Sequence, residues 1–224
     1  MIQKNKFLSI LRRIRSDLSG VSMVEFALTL PILLTVGLFG TEIARLATTR
    51  MKVSQVALSL ADNAARLGQT DNSGVTPTIS ENDVAAVLAG ALRQGDSIGL
   101  EANGRVILSS LEYDTFTGKQ YIHWQRCVGS LNESSTYGDE EDNNGLVGDE
   151  LGGMGRGTTK LTAQQNTAIM YVEIIFDYTP LFESPYGSGA RTIRQEAGFQ
   201  IRDDRNLRTS DVKGLSGTAA NTCL

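Results

Sequence analysis

The chain has 224 residues, enough for one domain of ordinary size together with a membrane anchor. Its net charge of −4 argues against nucleic-acid binding, which requires a basic surface. Residues 1–20 nevertheless carry five lysines and arginines against one aspartate, and the remainder is acidic. A basic block directly before an apolar segment predicts a cytoplasmic leader and an exported C-terminal part.

An apolar segment follows this leader, and between Val21 and Thr41 it contains a single charged residue, Glu25. As a helix these roughly 21 residues extend over about 31 Å, the thickness of a hydrocarbon core. A carboxylate inside a membrane costs roughly 3 kcal/mol on insertion scales, so Glu25 is expected to have a purpose there. A secretory signal peptide would have a shorter apolar core and a small-residue cleavage site, which this segment lacks.

The helix is predicted to continue beyond the membrane. From Val53 to Leu67 apolar residues recur at steps of three and four, and Gly68 is a natural C-terminal stop. We therefore assign residues 21–45 to a transmembrane helix and residues 46–68 to its extracytoplasmic continuation. Pro31 lacks an amide donor and is expected to kink or loosen the first half.

Residues 69–208 are predicted to form a small exported domain. A second helix is expected between Ser80, which with Asp83 approximates a capping box, and Gly95. Segments with period-2 alternation are predicted strands: Val106–Tyr113, Tyr121–Cys127, Ile169–Tyr178 and Thr192–Arg202. The predicted class is α+β, in which a long N-terminal helix with a transmembrane first half precedes one further helix and an antiparallel β-sheet.

The two cysteines, Cys127 and Cys223, both lie in the part predicted to be exported, where a disulfide can form and persist. The bond would close a loop of about 100 residues and contribute roughly 4–5 kcal/mol on the entropic model. It would also fix the C-terminal tail, residues 209–224, to the domain. Two free thiols are the alternative.

A long acidic and glycine-rich loop, residues 129–167, separates the second and third predicted strands and is expected to be flexible or to form a binding surface. Glu140, Asp142 and Asn144 are weak candidates for a calcium site. The EF-hand register that includes them requires a glutamate at position 151, where the chain has leucine. A solvated run of charges is therefore the preferred interpretation.

The sequence gives little support for catalysis. Residues 152–157 are glycine-rich, but they follow no predicted strand and open no clear helix, so the dinucleotide-binding pattern is rejected. His123 is the only histidine, which excludes two-histidine metal sites and weakens any catalytic triad. We expect no enzymatic activity and no cofactor.

The segment from Gly20 to Pro31 reads Gly-Val-Ser-Met-Val-Glu-Phe-Ala-Leu-Thr-Leu-Pro and resembles the TadE/TadG-like pseudopilins of tight-adherence (Flp) pilus systems. The resemblance implies a pilin-like architecture and a class III signal, in which a prepilin peptidase cuts between Gly20 and Val21. It also implies that Glu25 and Phe26 act in recognition and assembly. The length of the chain favours a TadE-like member, because TadG-like relatives are typically longer.

The resemblance implies a minor pseudopilin, or membrane-anchored assembly component, of a Flp (Tad) type IV pilus that supports pilus biogenesis and adhesion. Its partners would be the prepilin peptidase, other pilus and pseudopilin subunits, the inner-membrane assembly platform and the lipid bilayer. The implied location is the bacterial inner membrane, with a single pass, a cytoplasmic N-terminus and a periplasmic domain. The alternative is a membrane-anchored periplasmic binding or sensing domain without prepilin-type processing.

Overall fold

The computed structural model describes residues 20–68, 78–140, 151–182, 191–202, 205, 207 and 221–223. Its helices are α1 (Val21–Ala65), α2 (Glu81–Gln94), a short 3-10 helix (Asp96–Ile98) and α3 (Leu100–Asn103). Its strands are β1 (Gly104–Tyr113), β2 (Gln120–Val128), β3 (Ala168–Tyr178) and β4 (Arg191–Gln200). The predicted α+β class is confirmed. The 3-10 helix and α3 were not predicted.

Helix α1 is continuous over 45 residues, which corresponds to about 68 Å. Pro31 lies inside it without ending it. The first buried position is Thr49, and the later ones follow a helical stripe: Val53, Val56, Ala57, Leu60, Ala61, Ala64 and Ala65. Gly68 follows with a φ of 91°, a left-handed conformation that favours glycine, so the chain can turn away where the sequence predicted a stop.

Helix α2 begins with the predicted capping box. The Asp83 amide donates to Ser80 Oγ at 3.3 Å, and the Ser80 amide donates to Asp83 Oδ2 at 3.0 Å. This reciprocal pair satisfies two backbone donors that the first turn would otherwise leave unbonded. Val84, Leu88 and Ala91 share the buried face of α2, and Gly95 follows the helix end. The predicted helix is therefore confirmed at both ends.

The four strands form one antiparallel sheet in the order β2-β1-β3-β4. Helices α1 and α2 cover one face, and the main hydrophobic core lies between them and the sheet. From β3 this core receives Ala168, Met170, Val172, Ile174, Phe176 and Tyr178. Strand β3 runs antiparallel to the C-terminal half of α1, because Tyr178 lies near Glu42 and the start of β3 lies near the end of α1.

The other face of the sheet is also covered, which the sequence did not predict. Chain from the long acidic loop packs on it, with Met154 and Ala163 buried against Leu111, Ile169 and Tyr171. Strand β3 is consequently buried along almost its whole length on both faces. The part of this loop at residues 141–150 lies outside the described residues.

Strand β4 ends at Gln200, two residues before the predicted end at Arg202. The Ile201 amide still donates to Ala168 O of β3 at 2.9 Å, but the Arg202 amide donates to Ala65 O of α1 at 3.4 Å, so the chain leaves the sheet here. Arg202 then pairs with Asp62 of α1 at 2.6 Å. The predicted strand was therefore too long at this end, since hydrogen bonds to α1 compete with the sheet.

The buried side chain of Arg205 closes the C-terminal end of α1. Its Nη2 donates to three carbonyls of the last turn, at 3.2 Å to Ala64, 3.3 Å to Ala65 and 2.7 Å to Leu67. The last carbonyls of a helix have no partner within it and carry a partial negative charge, which a guanidinium satisfies. This contact was not predicted, because it joins positions about 140 residues apart.

The predicted disulfide between Cys127 and Cys223 is present, with a Cα–Cα distance of 5.0 Å. Cys127 lies on β2 and packs with Ile107 and Ile175 in a small cluster on the loop-covered face of the sheet. The Cys127 amide also donates to Asn221 O, at 2.5 Å. The described end of the tail, residues 221–223, is thereby attached to β2.

We expect removal of this disulfide by the Cys127→Ser/Cys223→Ser double variant to lower the free energy of unfolding. The bond joins residues 96 positions apart, and the entropic model gives an upper value of roughly 4–5 kcal/mol for a loop of this size. Urea unfolding of the detergent-solubilised chain, followed by Trp124 fluorescence, would measure the loss. The parent chain under reducing conditions should match the variant, and equal stability of all three samples would contradict the prediction.

Replacement of the buried cap by Arg205→Ala should lower the free energy of unfolding by about 2–4 kcal/mol, because buried carbonyls lose a charged donor. The matched control is Arg202→Ala, which removes an exposed ion pair at the same helix end and should cost less than about 1 kcal/mol. The same urea titration measures both. Equal losses for the two variants would show that Arg205 does not act as a cap.

Candidate functional site

The predicted cleavage position lies at the very start of α1. Gly20 is the N-cap residue, and its carbonyl accepts a hydrogen bond from Val24 N at 3.2 Å. Both Gly20 and Val21 are exposed, so none of the described residues covers the peptide bond between them. A Cβ added to Gly20 would meet nothing within 4 Å, and its φ of −87° suits any residue. Packing within the chain therefore does not require glycine here.

Glu25 and Phe26 are both exposed on the first turns of α1. Among the residues that the structure describes, none forms a hydrogen bond or an ion pair with the Glu25 carboxylate. An unpaired carboxylate is costly in a low-dielectric medium unless an opposite charge reaches it. The structure thus leaves this carboxylate available to a partner outside the described part of the chain.

The N-terminal half of α1 is a bare apolar surface. The most apolar 18-residue stretch of the helix has a mean hydropathy of 1.9, and none of it is buried against the rest of the protein. Its polar threonines are satisfied within the helix: Thr35 Oγ1 donates to Pro31 O at 2.7 Å, and Thr29 Oγ1 donates to Phe26 O at 3.2 Å. Helix α1 is long and apolar enough to cross a membrane, which fits a single-pass membrane protein.

A polar junction connects the end of this apolar surface to the domain. Glu42 Oε1 accepts from the Tyr178 hydroxyl at 2.7 Å, and Glu42 Oε2 accepts from Leu181 N at 3.0 Å. Arg45 lies over the Tyr178 ring at 5.4 Å and donates to Thr179 O at 3.5 Å. We call Glu42, Arg45, Tyr178 and Leu181 the junction.

The junction contains more than the helical spacing indicates. Glu42 and Arg45 lie three residues apart on one helix, a spacing that predicts an interfacial pair, and the two side chains do interact electrostatically. Both side chains also contact the end of β3, about 135 residues later in the chain. The sequence signal for this contact was a tyrosine at the end of a predicted strand, followed by the apolar residues Leu181 and Phe182. The partner of that tyrosine on α1 could not be identified without the fold.

Three acids form polar clusters in the domain: Glu112 and Glu173 are buried, and Glu196 is partly buried. Glu196 accepts from the hydroxyls of Tyr171 and Tyr137, at 2.7 and 3.0 Å, and from Arg156 Nε at 2.9 Å. Burial, reinforced by the hydrogen bonds with Tyr137 and Glu196, holds the pKa of Tyr171 well above its usual range. Glu196, Tyr171 and Arg156 line part of a cavity of ≈ 340 Å³ beside β4. Their polar groups are thus already bonded within the domain.

The second and third acids are likewise engaged. Glu173 accepts from Thr136 N at 3.2 Å and from the hydroxyls of Thr136 and Ser135. These bonds fasten the long loop to the sheet.

Glu112 accepts from Ser110 Oγ at 2.8 Å and lies 2.9 Å from His123 Nδ1. Ser110 and His123 thus both contact one carboxylate oxygen, Glu112 Oε1. In a triad the carboxylate would bond the histidine alone, and the serine would bond the other ring nitrogen.

The described part of the weak calcium candidate does not resemble a metal site. Glu140 Oε2 accepts from Gln125 N at 3.2 Å and lies 3.6 Å from Arg126 Nη1. Asp142 and Asn144 lie outside the described residues. Over the described ranges, no group of three or more His, Cys, Asp or Glu side chains is placed to hold a metal ion.

Comparison with known proteins supports the significance of α1. The family model described as TadE-like protein matches residues 20–66, a range that begins at Gly20 and includes the whole of this helix. The resemblance predicted from the sequence is therefore confirmed over this segment, and it associates the chain with Tad pili. No curated protein and no solved structure matches the chain.

We expect Glu42→Ala to loosen the junction, because the Leu181 amide and the Tyr178 hydroxyl lose their acceptor. Without this acceptor the Leu181 amide is bonded to water more often, so it should exchange with deuterium severalfold faster. Hydrogen exchange with mass spectrometry on the chain in lipid nanodiscs measures this. Tyr178→Phe removes the hydroxyl alone and should leave the Leu181 amide protected. Unchanged exchange in Glu42→Ala would show that this contact does not fasten the segment.

Proposed function

We propose that the protein is a minor pseudopilin, a membrane-anchored assembly component of a Flp (Tad) type IV pilus that supports pilus biogenesis and adhesion. The observation that carries the proposal is the bare apolar surface of α1, which begins directly at Gly20, has Glu25 as its only charge up to Thr41, and falls within the TadE-like match. In this proposal the leader is cytoplasmic, α1 crosses the inner membrane once, and the domain is periplasmic.

Cleavage after Gly20 would create the charge that Glu25 needs. The new α-amine of Val21 would be largely protonated near neutral pH. Val21 and Glu25 lie four residues apart and therefore on one face of α1, so the two charges can meet within one subunit or across two. Because opposite charges attract far more strongly in a low-dielectric medium than in water, this pairing would be strong where α1 is surrounded by lipid or by other helices.

The exposed half of α1 supports assembly by helix packing. The domain covers none of the most apolar stretch, so this surface can contact lipid in the membrane and neighbouring subunits in an assembly. A peptidase that removes the leader and a platform that gathers the subunits would be the remaining partners.

The alternative is a membrane-anchored periplasmic domain that binds or senses a ligand without prepilin-type processing. The cavity beside β4, which includes Gly155 and Arg156 from the long loop, is the observation in its favour. Its acid, Glu196, is already bonded to Tyr137, Tyr171 and Arg156, which weakens the case for a polar ligand there. The two functions differ in the mature N-terminus, which only the pseudopilin requires to be Val21.

We expect mass spectrometry of the protein from its native host to find a mature chain that begins at Val21. Gly20→Ala should retain the full-length chain, because a peptidase that recognises glycine would reject the added methyl group. The added Cβ meets no atom of the described residues within 4 Å, so folding and insertion should be unchanged, and equal amounts of membrane-bound protein would verify this. A parent chain that keeps its leader would overturn the processing proposal.

Glu25→Ala and Glu25→Gln should both lower pilus assembly about tenfold or more, since each removes the charge that balances the new amine. Their amounts in the membrane should stay normal, because none of the described residues contacts this carboxylate. Thr29→Ala is the matched control on the same helix face, since its hydroxyl bonds only its own helix. Sheared-pilus yield measures all three. Normal yields for both Glu25 variants would contradict the charge-pairing role.

A further inference from the structure

Two exposed apolar side chains follow β3 directly. Leu181 is 61% exposed and Phe182 is 42% exposed, although both belong to the domain rather than to the apolar half of α1. The Leu181 amide bonds Glu42, so the pair is fixed beside α1 at the residue where the apolar surface ends. We call Leu181 and Phe182 the apolar pair.

We propose that the apolar pair inserts into the outer interfacial region of the same bilayer that α1 crosses, and so gives the domain a second contact with lipid. The inference rests on the membrane-spanning role of α1 in the proposed function. The proposed partner of the apolar pair is the lipid surface. The pair lies outside residues 20–66, the segment that the TadE-like family model matches.

The height of the pair along α1 agrees with this placement. Glu42 lies 21 residues after Val21, or about 31 Å along the helix, which brings it to the outer edge of a hydrocarbon core. At the same height α1 itself presents Phe39 and Ile43, which are 48% and 67% exposed. The apolar pair therefore extends an apolar surface that already faces lipid.

The surroundings of the pair are those of a membrane interface. Tyr178, with an apolar ring and a polar hydroxyl, lies three residues before Leu181, and such rings are enriched at the headgroup level. Arg45 stacks on that ring, and the exposed Arg191 is close enough to interact electrostatically with both Glu42 and Tyr178. Arginines at this height can reach lipid phosphates while their stems stay over apolar surface.

A second exposed aromatic residue provides the contrast. Phe116 is 94% exposed, but it lies in the turn between β1 and β2. That turn is at the opposite end of the sheet, because Glu112 pairs with Ala168 at the start of β3 whereas Gly104 pairs with Phe176 near its end. Strands of this length separate the two ends by about 33 Å, so Phe116 should stay in water.

Tryptophan quenching by brominated lipids tests the proposal. The full-length chain is reconstituted in phosphatidylethanolamine–phosphatidylglycerol vesicles whose acyl chains carry bromine either near the headgroup or near the bilayer centre. Phe182→Trp is compared with Phe116→Trp and with Leu33→Trp, which reports on the middle of the membrane-spanning part of α1. The contribution of the buried Trp124 is measured in the parent chain and subtracted.

We expect Phe182→Trp to be quenched by the shallow bromines at least twofold more than by the deep ones, and Phe116→Trp by neither. Leu33→Trp should be quenched most by the deep bromines. If Leu33→Trp is quenched and Phe182→Trp is not, the apolar pair does not enter lipid although α1 spans the membrane. Shielding of Phe182→Trp from aqueous iodide without lipid quenching would indicate a second protein copy as the occupant and would also overturn the proposal.

If Leu33→Trp itself is not quenched, the spanning role of α1 fails, and with it both proposals. Leu181→Trp adds a second reporter on the pair, so that a local disturbance by one substitution cannot decide the outcome. Circular dichroism of each variant confirms that the fold is retained.

Discussion

The rest of the structure depends on the unbroken backbone hydrogen bonding of α1. Helix α1 leaves its first half bare and buries its second half against the sheet, so one element has two environments. A helix can do this because all its backbone bonds are internal, whereas a strand or loop entering lipid would expose unpaired amides and carbonyls. The change of environment is therefore encoded in side chains alone, which become amphipathic only after Thr49.

The domain is attached to α1 at both ends of the shared length. Glu42 and Tyr178 bond at one end, and Arg205 bonds the carbonyls of Ala64, Ala65 and Leu67 at the other. The lengths of the elements agree: the 24 helical residues from Glu42 to Ala65 extend about 36 Å, and the 11 residues of β3 extend about 37 Å. Because the two elements match, both polar contacts can form without bending either one.

Local and periodic features could be predicted from the sequence. The capping box of α2, the stripe on α1 after Val53 and the core of each strand depend on residues close together in the chain. The disulfide between Cys127 and Cys223 was predictable because the sequence has no other cysteine and because both lie in the part predicted to be exported, where a disulfide can persist. These signals were sufficient for the fold class.

Contacts between distant segments could not be predicted. The sequence of β3 alternates as expected for a strand with one face exposed to solvent. Both faces are nevertheless buried, because the long loop packs on the second face, and a period-2 pattern does not show this contact. The hydroxyls of Ser135 and Thr136, which bond Glu173, and that of Tyr137, which bonds Glu196, come from that loop. Likewise, the sequence shows only that Glu42 and Arg45 lie three residues apart on a helix. Their partners at the end of β3 are identified by the fold.

The candidate site is distinguished by residues that packing does not explain. Gly129 has a φ of 103°, and a Cβ there would lie 2.2 Å from the carbonyl oxygen of Gly104, so the fold itself requires glycine. Gly20 has open space and an ordinary φ, and Glu25 has no partner among the described residues. An unpaired carboxylate such as Glu25, or a glycine that packing does not require such as Gly20, is best explained by contact with another molecule. That inference separates the start of α1 from the domain and supports the proposal that partners act on this segment.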